Sequence, residues 1–361
     1  MMEKYSVGLG FTSTCNMNCP FCYSKDKRSE NQECSFNEWI NFIDNNHMYI
    51  KDINYGTSEN ATSSKWYDFI SYIRQNYPSI RQAVTTNGSL GHVAKNDRNK
   101  KFIINRCIDE IDISIDYGNS ELHNYFRGNE NAFAYAIETL EFCRKYRKKA
   151  TIVMLGIDDT LTERNLESIF SLAEKYNTVV RINIYRPVNP SSKIKTLSFK
   201  KINWLFGWVE KNHRILSVSD PLFSNVYFEN YTRHDPSGIK SVRILQNGDV
   251  FPSTYLLNNE LRMGNIVDTS LKTIRDGEIY QLIRNLDIPR ECENCIYQNT
   301  CRGGVLDRRY LWYRKFSVRD PYCPFRVENK DYYSSQTKCH ISEEFFSSVH
   351  DGYLPTLFFG V

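Results

Sequence analysis

No stretch of this chain approaches the roughly 18 uninterrupted apolar residues that a membrane helix requires, which excludes an α-helical membrane span. The opening MMEKYSVGLGFTST has neither an apolar core nor a small-residue cleavage site, so no secretory signal is expected and the protein is read as cytoplasmic. Charge of one sign is lacking too. The 46 basic and 42 acidic residues leave a net charge of +4, too weak to imply a nucleic-acid partner. Internal repeats and low-complexity tracts are absent. A composition of 41% hydrophobic and 24% charged residues excludes wholesale disorder, and 361 residues allow two or three domains with a sizeable core. The cysteine count is odd, at eleven, in a chain with no export signal. That argues against a disulfide framework and for thiolates kept reduced, as ligands or nucleophiles.

The cysteines are grouped. Cys15, Cys19 and Cys22 fall in CNMNCPFCY near the start, and Cys292, Cys295 and Cys301 fall in CENCIYQNTC, with Cys323 following in DPYCP. Cys34, Cys107, Cys143 and Cys339 stand alone and read as small hydrophobes. Three clustered thiolates suit a metal or cluster with one open position, because an iron–sulfur cluster wants four. The later set supplies four and would close its site; on spacing alone zinc fits it about as well.

From residue 5 to about 212, strand-like and helix-like segments alternate. Strands are expected at 5–12, 51–56, 80–87, 110–116, 150–157 and 178–185, with helices at 63–77, 131–146 and 162–176. Thr162, Glu163 and Asn165 give the last of these a cap-like start. Six such repeats imply a parallel sheet, hence an α/β fold: an open or partial (β/α)6 barrel working at the carboxyl ends of its strands. VNPSSKIKT (188–196) reads as a polar connection and 197–213 as a further helix. Residues 241–254 read as a hairpin around Asn247-Gly248, followed by a helix near 270–286 and a loop-rich cysteine segment. The expected division is a barrel domain at 1–213, a linker at 214–240, and a small cluster domain with a C-terminal extension at 241–361.

Cys15-x3-Cys19-x2-Cys22, in a loop directly after the first strand, resembles the signature of radical S-adenosylmethionine (SAM) enzymes. The resemblance continues along residues 5–190. Phe21 matches the aromatic that contacts the adenine in that family. YGTSEN (55–60) is similar to the family's Gly-Gly-Glu, with Gly56, Ser58 and Glu59, and TTNG (85–88) ends the third strand as in many members. SIDYGNSELHNYFRG (114–128) resembles the fourth-strand motif, with Ser114 and Asp116; Asn183 and Tyr185 end strand six on the same rim. The resemblance implies a four-iron cluster on Cys15, Cys19 and Cys22. Its open iron is chelated by the amino and carboxylate groups of SAM, and Glu59 accepts a hydrogen bond from that amino group. One electron then cleaves the sulfonium to a hydrogen-abstracting 5′-deoxyadenosyl radical.

The C-terminal part is similar to the SPASM domain, an auxiliary-cluster extension of many radical enzymes that act on peptides. Cys292, Cys295, Cys301 and Cys323 match ligands of the second auxiliary cluster, whereas Val305 and Ser253 stand where the family has cysteines. The expectation is two four-iron clusters rather than three. The implied function is radical modification of a ribosomally made precursor peptide. With so few residues before strand one, a separate leader-recognition protein is expected, together with an electron donor such as flavodoxin or ferredoxin. GYLPTLFFGV (352–361) and YGTSEN look similar to spliceases that excise tyramine from the backbone; Cα epimerisation, thioether formation and side-chain crosslinking are the alternatives. RNA modification is a reading from another class, raised by the basic and aromatic RRYLWYRK (308–315), which reads more simply as an amphipathic strand or loop packed on the cluster domain. A non-catalytic iron–sulfur or zinc protein is the third; a carrier has no use for an open iron.

Overall fold

The computed structural model describes residues 4–30, 32–188, 194–326 and 338–361. Residues 189–193 of the expected polar connection lie outside them. Strands β1 (Tyr5–Leu9), β2 (Ile50–Tyr55), β3 (Arg81–Thr86), β4 (Glu110–Ser114), β5 (Lys149–Gly156) and β6 (Val179–Ile184) pair in parallel and in sequence order. Helices Ser64–Asn76, Ala132–Tyr146 and Glu163–Tyr176 cross between them, burying Phe69, Leu140 and Phe170 among other apolar residues. The Thr162 side chain accepts from the amide of Asn165, the expected cap. The six-repeat α/β architecture is therefore present, with the strands' carboxyl ends on one rim.

The sheet does not stop there. β7 (Arg214–Val218), β8 (Ser241–Ile244), β9 (Asp249–Phe251), β10 (Gly264–Asn265) and β11 (Leu357–Gly360) extend it to eleven strands among the described residues, in the order β10-β9-β8-β1-β2-β3-β4-β5-β6-β11-β7. β8 runs parallel to β1, and the expected hairpin around Asn247-Gly248 joins β8 to β9. At the other edge the last residues of the chain enter as β11, antiparallel to both β6 and β7.

Three expectations are corrected. The presumed linker at 214–240 contains β7 and the helix Pro221–Tyr227. β7 is a strand only because β11, some 140 residues downstream, supplies the partner for its backbone. The helix near 270–286 is two helices, Leu271–Asp276 and Glu278–Arg284, separated at Gly277. RRYLWYRK is neither strand nor loop: it lies largely in the helix Leu306–Tyr313, with Arg308 and Arg309 turned inward. Arg308 bridges Asp220 and Asp320, so this segment is not a basic surface for RNA. No helix among the described residues is long and apolar enough to cross a membrane.

Phe359 is fully buried in β11, between β6 and β7. Phe359→Ala should cost about 3–5 kcal/mol, read as a lower denaturation midpoint of the reconstituted protein; an unchanged midpoint would show that β11 is dispensable to the sheet.

Candidate active site and auxiliary thiol site

The loop after β1 carries Cys15, Cys19 and Cys22, all half-buried free thiols. It is pinned from several directions. The Glu59 amide donates to the Thr14 carbonyl (3.2 Å), Asn87 Nδ2 to Asn16 Oδ1 (2.9 Å), and Asn129 Nδ2 to the Asn16 carbonyl (3.2 Å). Glu33 accepts from Thr12 Oγ1 (2.8 Å) and from the hydroxyl of Ser13 (2.7 Å). Two guanidiniums face the sulfurs. Arg28 Nη2 lies 3.7 Å from Cys22 Sγ, and Arg127 neighbours Cys19, whose Sγ lies 3.5 Å from the Arg127 carbonyl. Burial pushes the Cys15 and Cys19 thiols up, against the pull of Arg28 and Arg127 respectively. Cations here favour the thiolate form that an iron cluster needs.

Glu59 follows β2 and is buried. Its carboxylate accepts from Thr86 Oγ1 (3.0 and 2.9 Å) and from the Asn87 amide (2.8 Å). The YGTSEN and TTNG motifs are thus two halves of one hydrogen-bonded unit. Gly88 ends that unit at φ +105°, where a Cβ would sit 2.5 Å from the Ala136 nitrogen, so a side chain is excluded twice over. Burial lifts Glu59 to about 7, despite the bonds from Asn87 and Thr86.

Phe21, Gly56, Ser58, Glu59, Ser114 and Asn183 line one open cavity with the three cysteines, and Asp116 and Tyr185 reach it too. Ser58 Oγ and Asn183 Oδ1 are buried with no protein partner, which suits polar atoms awaiting a ligand. Asp116 behaves differently from the expectation of a direct ligand contact. Its Oδ2 holds Arg127 Nε (2.6 Å) and its Oδ1 accepts from the Leu155 amide (2.9 Å), so it positions Arg127 beside Cys19. Phe21 stacks on Phe126 (4.3 Å between centroids), with Arg127 over its ring.

Cys292, Cys295, Cys301 and Cys323 come together around a second, small hollow walled by Leu222, Val226 and Phe325, with Arg319 as its cation. Among the described residues no three His, Cys, Asp or Glu side chains converge as a single-ion site demands. Three thiols line the first hollow and four line the second. At the positions of the absent family cysteines, Ser253 contacts Asp307 (3.5 Å), which pairs with buried Arg186 (2.7 Å). Cys34, Cys107, Cys143 and Cys339 pack within or against the hydrophobic core.

Residues 9–173 match the radical SAM superfamily and residues 237–296 match SPASM, an iron–sulfur cluster-binding domain. The chain carries a radical SAM domain followed by a SPASM domain. It is 21% identical over 353 residues to the mycofactocin maturase MftC of Mycolicibacterium smegmatis, covering 90% of this chain and 85% of that protein. It is 24% identical over 349 residues to the AdoMet-dependent heme synthase of Methanosarcina barkeri, covering 88% and 96%. The crystal structure of Streptococcus suis SuiB bound to S-adenosylmethionine superposes with a TM-score of 0.67 at 15% identity, covering 89% of this chain and 77% of that one; this likeness is one of fold. Radical SAM chemistry with two four-iron clusters agrees with the two thiol-lined hollows.

Several residues of the radical SAM site escaped the sequence reading. Arg127 lies inside a recognised motif, but its partner Asp116 becomes evident only when the turn after β4 folds back. His350 enters the cavity from the C-terminal segment, with Nδ1 3.0 Å from Asp112 Oδ2 and Nε2 3.3 Å from Thr85 Oγ1. Burial pushes its imidazole down, against Asp112. Arg243 was visible as the one charged residue in the apolar strand SVRIL, a signal the hairpin assignment left unused.

Folding raises the Glu59 pKa from 4.5 to about 7, so the buried carboxyl costs stability as pH rises through that window, and an N–H donor on a bound ligand offsets the cost. SAM affinity should therefore strengthen as pH rises through about 7, and Glu59→Gln should flatten the profile. Glu59→Ala should lose about 1.5–3 kcal/mol, roughly ten- to a hundredfold in affinity, with iron content intact. Equilibrium binding across pH checks both, and unchanged binding would remove Glu59 from the amino-group site.

Proposed function

We propose that this enzyme modifies a ribosomally synthesised peptide by hydrogen abstraction, and that the reaction is backbone splicing with excision of tyramine. The observation that carries the radical step is the shared cavity. Three thiols with an open fourth position, a buried carboxylate and two unpartnered polar atoms converge at the carboxyl ends of the strands. The peptide reading is supported by the likeness to a mycofactocin maturase across both domains. The splicing reading is supported by YGTSEN and by the C-terminal GYLPTLFFGV, of which Leu354 lines the cavity.

The cluster and SAM, held by these residues, would supply one-electron radical chemistry for hydrogen abstraction from the substrate. The protein's own residues have distinct tasks. Cys15, Cys19 and Cys22 would hold the cluster; Glu59 would accept an N–H bond from the ligand's amino group; Phe21 would meet its adenine. Gly56 lets the backbone approach, and Ser58, Ser114 and Asn183 offer polar atoms to the ligand. Asp116 keeps Arg127 beside the cluster. Cys292, Cys295, Cys301 and Cys323 close the auxiliary cluster to substrate, leaving it a structural or electron-transfer role. A separate leader-recognition protein and a flavodoxin or ferredoxin donor complete the system.

Anaerobic reconstitution should yield about eight iron and eight sulfide per chain. Replacing Cys15, Cys19 and Cys22 together by Ala should remove half and abolish 5′-deoxyadenosine. With the cognate precursor peptide, mass spectrometry should show a product that has lost the tyramine unit NH–CH(CH2C6H4OH) of one tyrosine, with the flanking carbonyls joined. An unshortened product would remove the splicing reading, and turnover of a heme precursor instead would remove the peptide reading.

The auxiliary cluster supplies much of the folding free energy of the thiol-lined loops around it. Cys301→Ala should therefore lower both stability and peptide modification while SAM cleavage without peptide survives in part. Normal folding with wild-type modification would leave the auxiliary site without a role.

A further inference from the structure

Three buried arginines among the described residues are matched by carboxylates. Arg181 pairs with Asp112 (2.7 Å), Arg186 with Asp307 (2.7 Å), and Arg308 with both Asp220 and Asp320. Arg243 is not. It is 2% exposed, and its described hydrogen bonds are from Nε and Nη2 to Thr254 Oγ1 (3.3 and 2.9 Å). Its Nη1 is buried with no acceptor. The groups around the guanidinium are the neutral phenols Tyr23, Tyr255 and Tyr353, the last with its ring centroid 5.8 Å away and its hydroxyl 3.0 Å from Thr254 Oγ1. A guanidinium held out of water without a counter-charge is costly, and it persists where a ligand supplies the missing anion.

The surroundings are arranged to hold it. Arg243 is in register with Gly8 of β1, where a Cβ would sit 2.8 Å from the guanidinium carbon and 1.8 Å from the Tyr353 hydroxyl oxygen. At Gly56 a Cβ would lie 3.6 Å from Nη1. Both strands are thus bare where the arginine crosses them. Arg243 and Thr254 line the cavity of the radical site.

We propose that Arg243, backed by Thr254, receives a carboxylate of the substrate: an Asp or Glu side chain, or a terminal carboxylate, close to the residue being modified. A planar guanidinium with a free Nη1 is suited to a carboxylate oxygen. The source is the substrate rather than SAM on positional grounds. The cations beside the cluster thiols are Arg28 and Arg127, and none of the described bonds of Arg243 reaches a thiol or Glu59. β8 flanks β1 on the side opposite β2, and the guanidinium crosses β1 to reach Gly56 just past the end of β2. This assignment rests on the peptide reading above and narrows it to substrates bearing an acidic group.

The test uses reconstituted holoenzyme with saturating SAM and two probes, N-acetylglutamate α-amide and its glutamine counterpart, titrated by calorimetry. The acidic probe should bind about tenfold or more tightly than the amide, and Arg243→Gln should erase the difference. Equal binding of the two probes to the wild-type enzyme overturns the proposal, whether or not the variant folds. Discrimination between the probes that appears only when SAM is left out, and is lost when SAM is added, also overturns it, by assigning the carboxylate site to the cofactor. Discrimination between the probes by an enzyme that modifies no peptide would sink the peptide reading and leave the subsite standing.

Discussion

A carboxylate buried at the end of a parallel strand organises this active site. Glu59 reaches across to Thr86 and Asn87 at the end of β3, and its own amide holds the Thr14 carbonyl at the entrance to the cysteine loop. One residue therefore ties β2, β3 and the cluster loop together. Its burial costs charge solvation, which is why its pKa rises, and the same burial makes it a strong acceptor for a cationic ligand. Asp116 does the matching work on the far side, where it fixes Arg127 beside Cys19.

The second organising feature is the way the open sheet is completed. Six parallel strands do not close a barrel, and their edges need partners. On one side β8 and its hairpin pair with β1; on the other the C-terminal strand β11 enters between β6 and β7. The segment leading into β11 also brings His350 and Tyr353 inside, where they meet Asp112, Thr85 and Thr254. Residues far apart in the chain thereby share one cavity, and the region expected to belong to a separate C-terminal unit is continuous with the barrel sheet.

The six parallel strands, the helices between them and the two cysteine groups were legible because each is a local pattern: an apolar run, a 3.6-residue stripe, a fixed spacing of thiols. The residues expected to face the cofactor were legible for a related reason: all but Phe21 lie within about four positions of the carboxyl end of a parallel strand, and strand polarity sends them to one rim. β7 was not legible. RILSV is too short to be distinguished from a connection until β11 arrives to pair with it.

Sequence alone determined the chemistry of the ligand set: three thiols in one loop, four in the C-terminal cysteine segment, and an acidic residue after the second strand. Only the tertiary structure decided which charges are satisfied. Asp116 proved to be occupied by Arg127 and a backbone amide, whereas Arg243 proved to be buried with an open donor. The physical reason is that a residue's type specifies its charge, but the cost of burying that charge depends on partners brought in from distant strands, and those contacts exist only once the sheet has closed around them.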